Sequence, residues 1–211
     1  MTFFTFKARR RQPSAMIMNK KLSQKCFFIV LLGCIVAAHS SITYAAKDEN
    51  RYKVENQFVK FGLYPRTPEQ MAAFYEGRGF PKQAVEATTQ YCFITVGMRN
   101  ISKTKIWLDL SRWRIFNKQG TIVRASRDQW KQKWQQLNVP LASQATFNWT
   151  LLPETRDLHP DEPVGGNITL QPTDQPFTVE AVFATGDDQQ GKPLVVKIDN
   201  VRCLKNGEST P

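Results

Sequence analysis

The residues of this chain best able to do chemistry are its four cysteines, and their positions favour a structural role. Cys26 and Cys34 lie in an apolar segment near the N-terminus, whereas Cys92 begins the first clear strand and Cys203 lies in the last one. In an oxidising compartment, an even pair of cysteines is typical of a disulfide. We therefore predict a Cys92–Cys203 bond. Two buried free thiols are the alternative.

Other patterns that would support catalysis or metal binding are weak. His159 is the one histidine beyond the N-terminal segment, and the chain has no CxxC, G-x-S-x-G or glycine-rich phosphate loop. Asp157, Asp161 and Glu162 share a loop but lack the ligand spacing of a dedicated calcium site. Potential copper or zinc ligands are scattered. We therefore predict no catalytic residue, metal site or cofactor, and keep a hydrolase without a recognisable motif as an alternative.

The N-terminal residues have the three parts of a secretory signal peptide. Residues 18–25 hold three lysines and no acidic residue, residues 26–38 form an unbroken apolar run, and small residues follow. An apolar run of this length is too short to span a bilayer, which takes about 20 residues. We predict a signal peptide over residues 1–45, with the true start at Met18. The expected product is periplasmic or secreted, in a bacterium, with no transmembrane span after cleavage.

The alternative for the N-terminus is a lipoprotein anchored through Cys34. The stretch Leu31-Leu32-Gly33-Cys34 resembles a bacterial lipobox, in which the cysteine becomes the lipidated first residue. However, the apolar run continues for four residues past Cys34, whereas a lipobox normally closes it. The pattern therefore favours free export over lipid anchoring.

Most of the basic character of the chain belongs to this leader. The whole chain has a formal net charge of +11, with 29 Lys and Arg and 18 Asp and Glu. The leader holds seven of the basic residues and none of the acidic ones, so the remainder carries a formal charge of +4. A net charge this small gives no reason to expect nucleic-acid binding.

The remaining residues are enough for one domain with a hydrophobic core. We predict an N-terminal segment over residues 46–90 with a helical hairpin, because Thr67-Pro68-Glu69-Gln70 combines an N-cap, a proline at the first helical position and a glutamine three residues after the cap. Over residues 91–206 apolar residues alternate with period two, which predicts short strands, with one inserted helix beginning at Ser126. Later strands are predicted at residues 146–152, 165–170, 177–184 and 194–204.

About eight short strands separated by turn residues are typical of an antiparallel sandwich. The stretches FITVGMRNISKTKIWLDL, WRIFNKQG and LHPDEPVGGNITL occur in this order. They resemble the immunoglobulin-like domains of exported bacterial proteins of unknown function. The resemblance covers residues 92–204 and implies a mostly β fold, an immunoglobulin-like antiparallel β-sandwich with short helical insertions. It implies no active-site residues. The insertions, at residues 67–90 and 126–138, depart from a plain sandwich and are where a particular function could lie.

Charge is distributed unevenly along the predicted domain. Residues 99–133 hold ten basic and two acidic residues, and four tryptophans lie in residues 99–134, whereas residues 151–189 hold one basic and eight acidic residues. One interpretation is that the tryptophans belong to the hydrophobic core and the basic side chains are exposed to solvent. The other is that the basic stretch forms a docking face for an anionic partner. The two stretches could also face each other within the fold or between two copies. The candidate partner-binding residues are Arg112, Arg114, Arg127, Trp130, Lys131 and Lys133.

The sequence thus predicts an exported binding or accessory protein that contacts another protein of the cell envelope. The alternative is a module that binds an envelope glycan or another anionic polymer. Salt should weaken binding to a charged polymer more steeply than it weakens a protein interface with an apolar centre.

Overall fold

A computed structural model describes residues 52–208 of the chain. The predicted signal peptide, its cleavage site and the alternative lipidation site at Cys34 lie outside the described residues. Within residues 52–208, none of the helices combines the length and the apolar composition needed to cross a membrane.

Two antiparallel β-sheets form the body of the fold, and four α-helices accompany them. The strands are β1 (Lys53–Glu55), β2 (Val59–Arg66), β3 (Cys92–Asn100), β4 (Ile106–Asp109), β5 (Arg114–Asn117), β6 (Gly120–Thr121), β7 (Thr155–Leu158), β8 (Pro163–Leu170), β9 (Phe177–Thr185) and β10 (Leu194–Val201). The helices are α1 (Pro68–Glu76), α2 (Lys82–Thr89), α3 (Arg127–Gln136) and α4 (Leu141–Thr150).

The first sheet has the strand order β1-β2-β3-β8, and we call it the four-stranded sheet. The second has the order β6-β5-β9-β4-β7, with β10 paired to the other side of β9. Alternate residues of β3 and β9 point between the sheets and belong to one buried cluster, because side chains alternate along a strand. These residues are Cys92, Ile94, Val96, Met98, Phe177, Val179, Ala181 and Phe183. The prediction of a mostly β fold with antiparallel sheets is therefore confirmed.

The helices pack on the outer face of the four-stranded sheet. Phe93 points away from the second sheet and joins a second buried cluster with side chains from all four helices. The helical members of this cluster are Met71, Tyr75, Ala84, Val85, Ala87, Trp130, Trp134 and Phe147. Both α1 and α3 begin with a capping box, formed by Thr67 with Gln70 and by Ser126 with Gln129.

The strand predicted at residues 146–152 is wrong, because α4 occupies most of this segment. Residues 146–151 read TFNWTL, in which polar and apolar residues alternate as they do in a strand. Tertiary packing decides for the helix, since Phe147 and Ser143 are one turn apart and both buried. The region between β6 and β7 therefore contains two helices, α3 and α4, rather than the single predicted one. The strand that follows them, β7, was not predicted from the sequence.

The predicted disulfide between Cys92 and Cys203 is present and joins the two sheets. Cys92 begins β3 in the four-stranded sheet, and Cys203 follows β10 of the second sheet. The two Cα atoms are 5.5 Å apart, and the residues are 111 positions apart in sequence. The bond therefore closes a loop that contains most of the described residues.

The end of α4 lies directly on β8 at Gly166. A Cβ atom added to Gly166 would lie 2.4 Å from the backbone nitrogen of Leu152, whose N–H donates to the Asn167 carbonyl at 3.0 Å. At the neighbouring Gly165, an added Cβ would meet only the Val96 carbonyl oxygen, at 3.3 Å. The glycine at position 166 therefore permits the contact that fixes the end of α4 to the sheet.

Replacing both Cys92 and Cys203 by serine should lower the free energy of unfolding by about 4 to 5 kcal/mol, because the loop-closure entropy of the unfolded chain is restored. Urea unfolding of the oxidised protein, the reduced protein and the double variant measures this difference. The reduced protein serves as the control and should match the variant. Equal midpoints for the oxidised protein and the variant would contradict the stabilising role of the bond.

The variant Gly166→Ala should lower the free energy of unfolding by about 3 kcal/mol, because the new methyl group overlaps the backbone at Leu152. Gly165→Ala is the matched control and should lower it by less, because its new methyl group would meet only the Val96 carbonyl oxygen, at 3.3 Å. Thermal and urea unfolding of the two variants compare them directly. Equal destabilisation by both changes would show that α4 does not approach β8 as described.

Candidate functional site

The basic and acidic stretches of the sequence pair with each other inside the fold. Four bases from residues 99–133 form ion pairs with acids from residues 151–189. The pairs are Arg99–Asp161 at 3.2 Å, Lys105–Asp157 at 3.6 Å, Arg114–Glu180 at 2.8 Å and Arg124–Glu154 at 2.6 Å. Most of these groups are partly exposed, so each pair stabilises the fold only slightly. Their main consequence is that the basic stretch does not present a uniform cationic surface.

Trp130, one of the candidate partner-binding residues, is a core residue. Its side chain is 1% exposed, and its Nε1–H donates to the Thr169 hydroxyl at 2.8 Å. Its ring stacks on that of Trp134 with centroids 4.8 Å apart. A side chain in this position cannot reach a partner without opening the helical layer, which corrects the role expected from the sequence.

Arg127 holds the end of α4. Its guanidinium donates to the carbonyl oxygens of Asn148 at 2.9 Å, Leu151 at 3.0 Å and Leu152 at 3.2 Å. Carbonyl groups at a helix C-terminus lack intrahelical donors and carry partial negative charge, so a cation there is favourable. Arg127 therefore positions α4 rather than presenting its charge to solvent.

The remaining predicted partner-binding residues differ in whether their charged groups have a contact within the protein. Arg114 pairs with Glu180, and the Nζ atom of Lys133 lies 5.2 Å from the centroid of the Tyr91 ring. Arg112 and Lys131 are exposed and have no ion pair within residues 52–208. The six residues therefore do not form one docking face.

The most exposed large apolar side chains among residues 52–208 lie on α4. Trp149 is 89% exposed and Leu141 is 81% exposed. With the exposed Ala145 they are spaced at i, i+4 and i+8, so they form a stripe along the outer side of the helix. No residue of α4 is charged. We call Leu141, Ala145 and Trp149 the α4 outer face.

The inner side of α4 holds this face in a fixed position. The Phe147 ring centroid lies 4.6 Å from that of Trp130, 4.9 Å from that of Trp134 and 5.4 Å from that of Tyr75. The hydroxyls of Tyr75 and Thr150 are 2.9 Å apart. Burial raises the pKa of Tyr75 to about 12, so its hydroxyl keeps its proton throughout the neutral range. The α4 outer face is therefore carried by a rigid element.

Lys131 of α3 is an exposed cation with no ion pair within residues 52–208. Arg127 and Lys131 are four residues apart and lie on the same side of α3. Because Arg127 contacts the end of α4, this side of α3 is the one that faces α4. Lys131 is therefore an exposed cation on the side of α3 that carries Arg127.

Sequence reasoning missed this face because Trp149 was assigned to a predicted strand at residues 146–152, whereas Leu141 and Ala145 were assigned to no element. A signal was available in the ten uncharged residues that follow Pro140, where Leu141, Ala145 and Trp149 recur at helical spacing. Ser143 and Phe147 recur at the same spacing on the opposite side. When one of the two apolar sides of a helix packs on its own protein, the other side remains available to contact another molecule.

The loop around His159 is an ion-paired surface loop. His159 is exposed, and its Nε2 lies 3.6 Å from Asp157 Oδ2. The backbone N–H of His159 donates to Glu162, and this bond together with the Arg156 side chain lowers the pKa of the Glu162 carboxyl. Within residues 52–208, no three His, Cys, Asp or Glu side chains are grouped closely enough to hold a metal ion.

Comparison with protein-family models gives no match, and comparison with curated proteins gives none either. Two solved structures resemble the chain. One is the "putative lipoprotein (ycdA)" of Bacillus subtilis subsp. subtilis str. 168, with TM-score 0.39 and 11% identity over 72% of this chain and 39% of that one. The other is the yjhA protein of Bacillus subtilis, with TM-score 0.35 and 11% identity over 61% and 76% of the two chains. The chain thus spans about two fifths of the ycdA protein's length.

Proposed function

We propose that this protein is exported to the bacterial periplasm or cell surface and binds another envelope protein through the α4 outer face, as an accessory component. The N-terminal pattern of a charged, an apolar and a small-residue segment supports export. The Cys92–Cys203 bond suits an oxidising compartment. The two-sheet body is compatible with the immunoglobulin-like sandwich implied by the sequence resemblance, with the docking element inserted as helices.

The observation that carries this proposal is the exposure of Trp149 on a fixed helix. Large apolar side chains that remain in water on a rigid element are typical of interaction sites. Tryptophan is among the residue types that contribute most to protein interfaces. Burying a side chain of 150 to 250 Å² would contribute about 4 to 6 kcal/mol before the costs of association, at about 25 cal/mol per Å².

The expected partner offers an apolar groove for the α4 outer face and an acidic group near Lys131. The spacing of Leu141, Ala145 and Trp149 is that of a helix lying in a groove. A lipid surface is a poorer fit, because helices that lie on membranes carry Lys and Arg on their polar side and α4 carries none.

Photo-crosslinking from position 149 should capture an envelope protein that position 195 does not capture. Val195 is the matched control, because it is also an exposed apolar residue, at 53%, and lies on β10. Trp149→Ala should weaken binding of the captured protein by about 30-fold or more, the effect of losing an interface hot spot. Val195→Ala should leave binding unchanged. High salt should weaken the complex only modestly, because its centre is apolar.

Three outcomes would contradict the proposal. Equal capture from positions 149 and 195 would show that exposure alone decides crosslinking. Capture of a second copy of this chain would make the α4 outer face a self-association surface. Binding of Trp149→Ala to the captured protein with unchanged affinity would remove the face from the interface.

The two tryptophans that differ in burial should differ in their effect on stability. Trp149→Ala should change the free energy of unfolding by less than about 0.5 kcal/mol, because the side chain is in water in both states. Trp130→Ala should lower it by about 3 to 5 kcal/mol, because it leaves a cavity between the helices and the sheet. Urea unfolding measures both. A large loss for Trp149→Ala would mean that this residue belongs to the core.

A further inference from the structure

The chain contains a single asparagine–glycine pair, Asn206–Gly207, in the segment that follows β10. In such a pair the backbone nitrogen of the glycine can attack the side-chain carbonyl of the asparagine, because no Cβ atom on the glycine hinders its approach. The attack closes a succinimide ring, which water can then open. Both residues are exposed, so water has access to them. The pair is therefore a candidate site of covalent modification.

The segment that carries this pair is held in place at several points. The disulfide joins Cys203 to the start of β3, and the Nζ atom of Lys205 lies 2.9 Å from Asp174 Oδ1. The backbone N–H of Lys205 also donates to Glu208 Oε2 at 2.8 Å. Asn206 and Gly207 are thereby kept against the start of α1, which both of them contact.

The side-chain carbonyl of Asn206 is bound by the backbone of α1. Its Oδ1 atom accepts a hydrogen bond from the N–H of Glu69 at 3.1 Å. The Thr67 side chain caps the N–H of Gln70 instead, which leaves the Glu69 N–H for Asn206. Attack on a carbonyl turns its oxygen into an oxyanion, and an N–H group aimed at that oxygen stabilises the charge. This contact therefore favours attack on Asn206.

The attacking nitrogen contacts the side chain of the same glutamate. The N–H of Gly207 donates to Glu69 Oε2 at 3.4 Å. An amide nitrogen must lose its proton when it bonds to a carbonyl carbon, and a carboxylate within reach of the N–H can take that proton as a general base. Glu69 forms no ion pair in the part of the chain that the structure describes, so no cation competes for its carboxylate.

We propose that Asn206 is a site of deamidation promoted by Glu69. The Gly207 nitrogen bonds to Asn206 Cγ while the Glu69 carboxylate removes its proton, and the bond between Cγ and Nδ2 of Asn206 breaks. Glu69 passes the proton to the leaving group, which departs as ammonia. Water then opens the succinimide at either carbonyl and leaves aspartate or isoaspartate at this position. The net reaction consumes water and releases ammonia, with no change in oxidation state.

The isoaspartate product would change how the segment contacts α1. In this product the main chain runs through the former side chain, so the carbonyl and the N–H that now contact Glu69 belong to the same peptide group. These two groups point in opposite directions in a trans peptide, and they cannot both keep their contacts with Glu69. Deamidation therefore weakens the attachment of the segment to α1.

This proposal does not depend on the partner of α4. The purified protein is incubated at neutral pH in water enriched in oxygen-18, which labels every carboxyl group formed during the incubation. Mass spectrometry after digestion at low pH follows the conversion of Asn206 and the ratio of isoaspartate to aspartate. The references are a synthetic peptide of residues 204–211 and the protein unfolded in guanidinium chloride. Asn206 should convert at least about threefold faster in the folded protein than in either reference, because both contacts with Glu69 require the fold.

Two variants of α1 give the comparison, and circular dichroism checks that both are folded. Glu69→Gln keeps the backbone N–H but removes the proton acceptor, so it should slow the conversion of Asn206 at least about threefold. Glu76→Gln is the matched control and should leave the rate unchanged, because Glu76 is an exposed carboxylate at the other end of the same helix.

Three results would overturn the proposal. The first is conversion in the folded protein that is no faster than in the references, which would mean that the contacts with Glu69 do not promote the reaction. The second is an unchanged or higher rate in Glu69→Gln. The third is a product without isoaspartate, because direct hydrolysis of the side chain gives aspartate alone.

Discussion

The aromatic packing of Trp130, Trp134 and Phe147 against Phe93 holds the helices on the outer face of the four-stranded sheet. These rings bury one side of α3 and α4, and Arg127 and the backbone at Leu152 then fix the end of α4. As a result β3 is buried on both faces near its start, by the second sheet on one side and by helices on the other. Because the inner side of α4 is packed in this way, its exposed side is held in a fixed position.

The same packing determines which surfaces are left for other molecules. The helices cover the Phe93 end of the four-stranded sheet. They also turn Trp149 outward, since a helix whose inner side is filled by Phe147 must place residues two positions away towards solvent. The surface around Trp149 is an apolar stripe on a helix without charged residues.

Local signals in the sequence predicted local features well. The Ser126 capping box and the alternation around Ile94 each depend on neighbouring residues, and the disulfide followed from the cysteine count. The helical state of residues 146–150 was not predicted, because alternating polarity is compatible with a strand until Phe147 meets the tryptophans. The charge pattern was misleading for a related reason. Arg114 forms an ion pair with Glu180, a residue far away in sequence that only the fold brings close to it. Lys131 has no such partner within residues 52–208, and the sequence does not distinguish the two bases.

Fluorine NMR of the protein labelled with 5-fluorotryptophan tests the central claim most directly. All five tryptophans lie within the described residues, and Trp149 is the most exposed. The account predicts that the Trp149 resonance shows the largest solvent isotope shift. It also predicts that this resonance moves saturably when a solubilised envelope protein fraction is added, and not after protease digestion of that fraction or with lipid vesicles. A Trp149 resonance that is insensitive to solvent, or that responds equally to the digested fraction, would contradict the assignment of α4 as a protein-docking element.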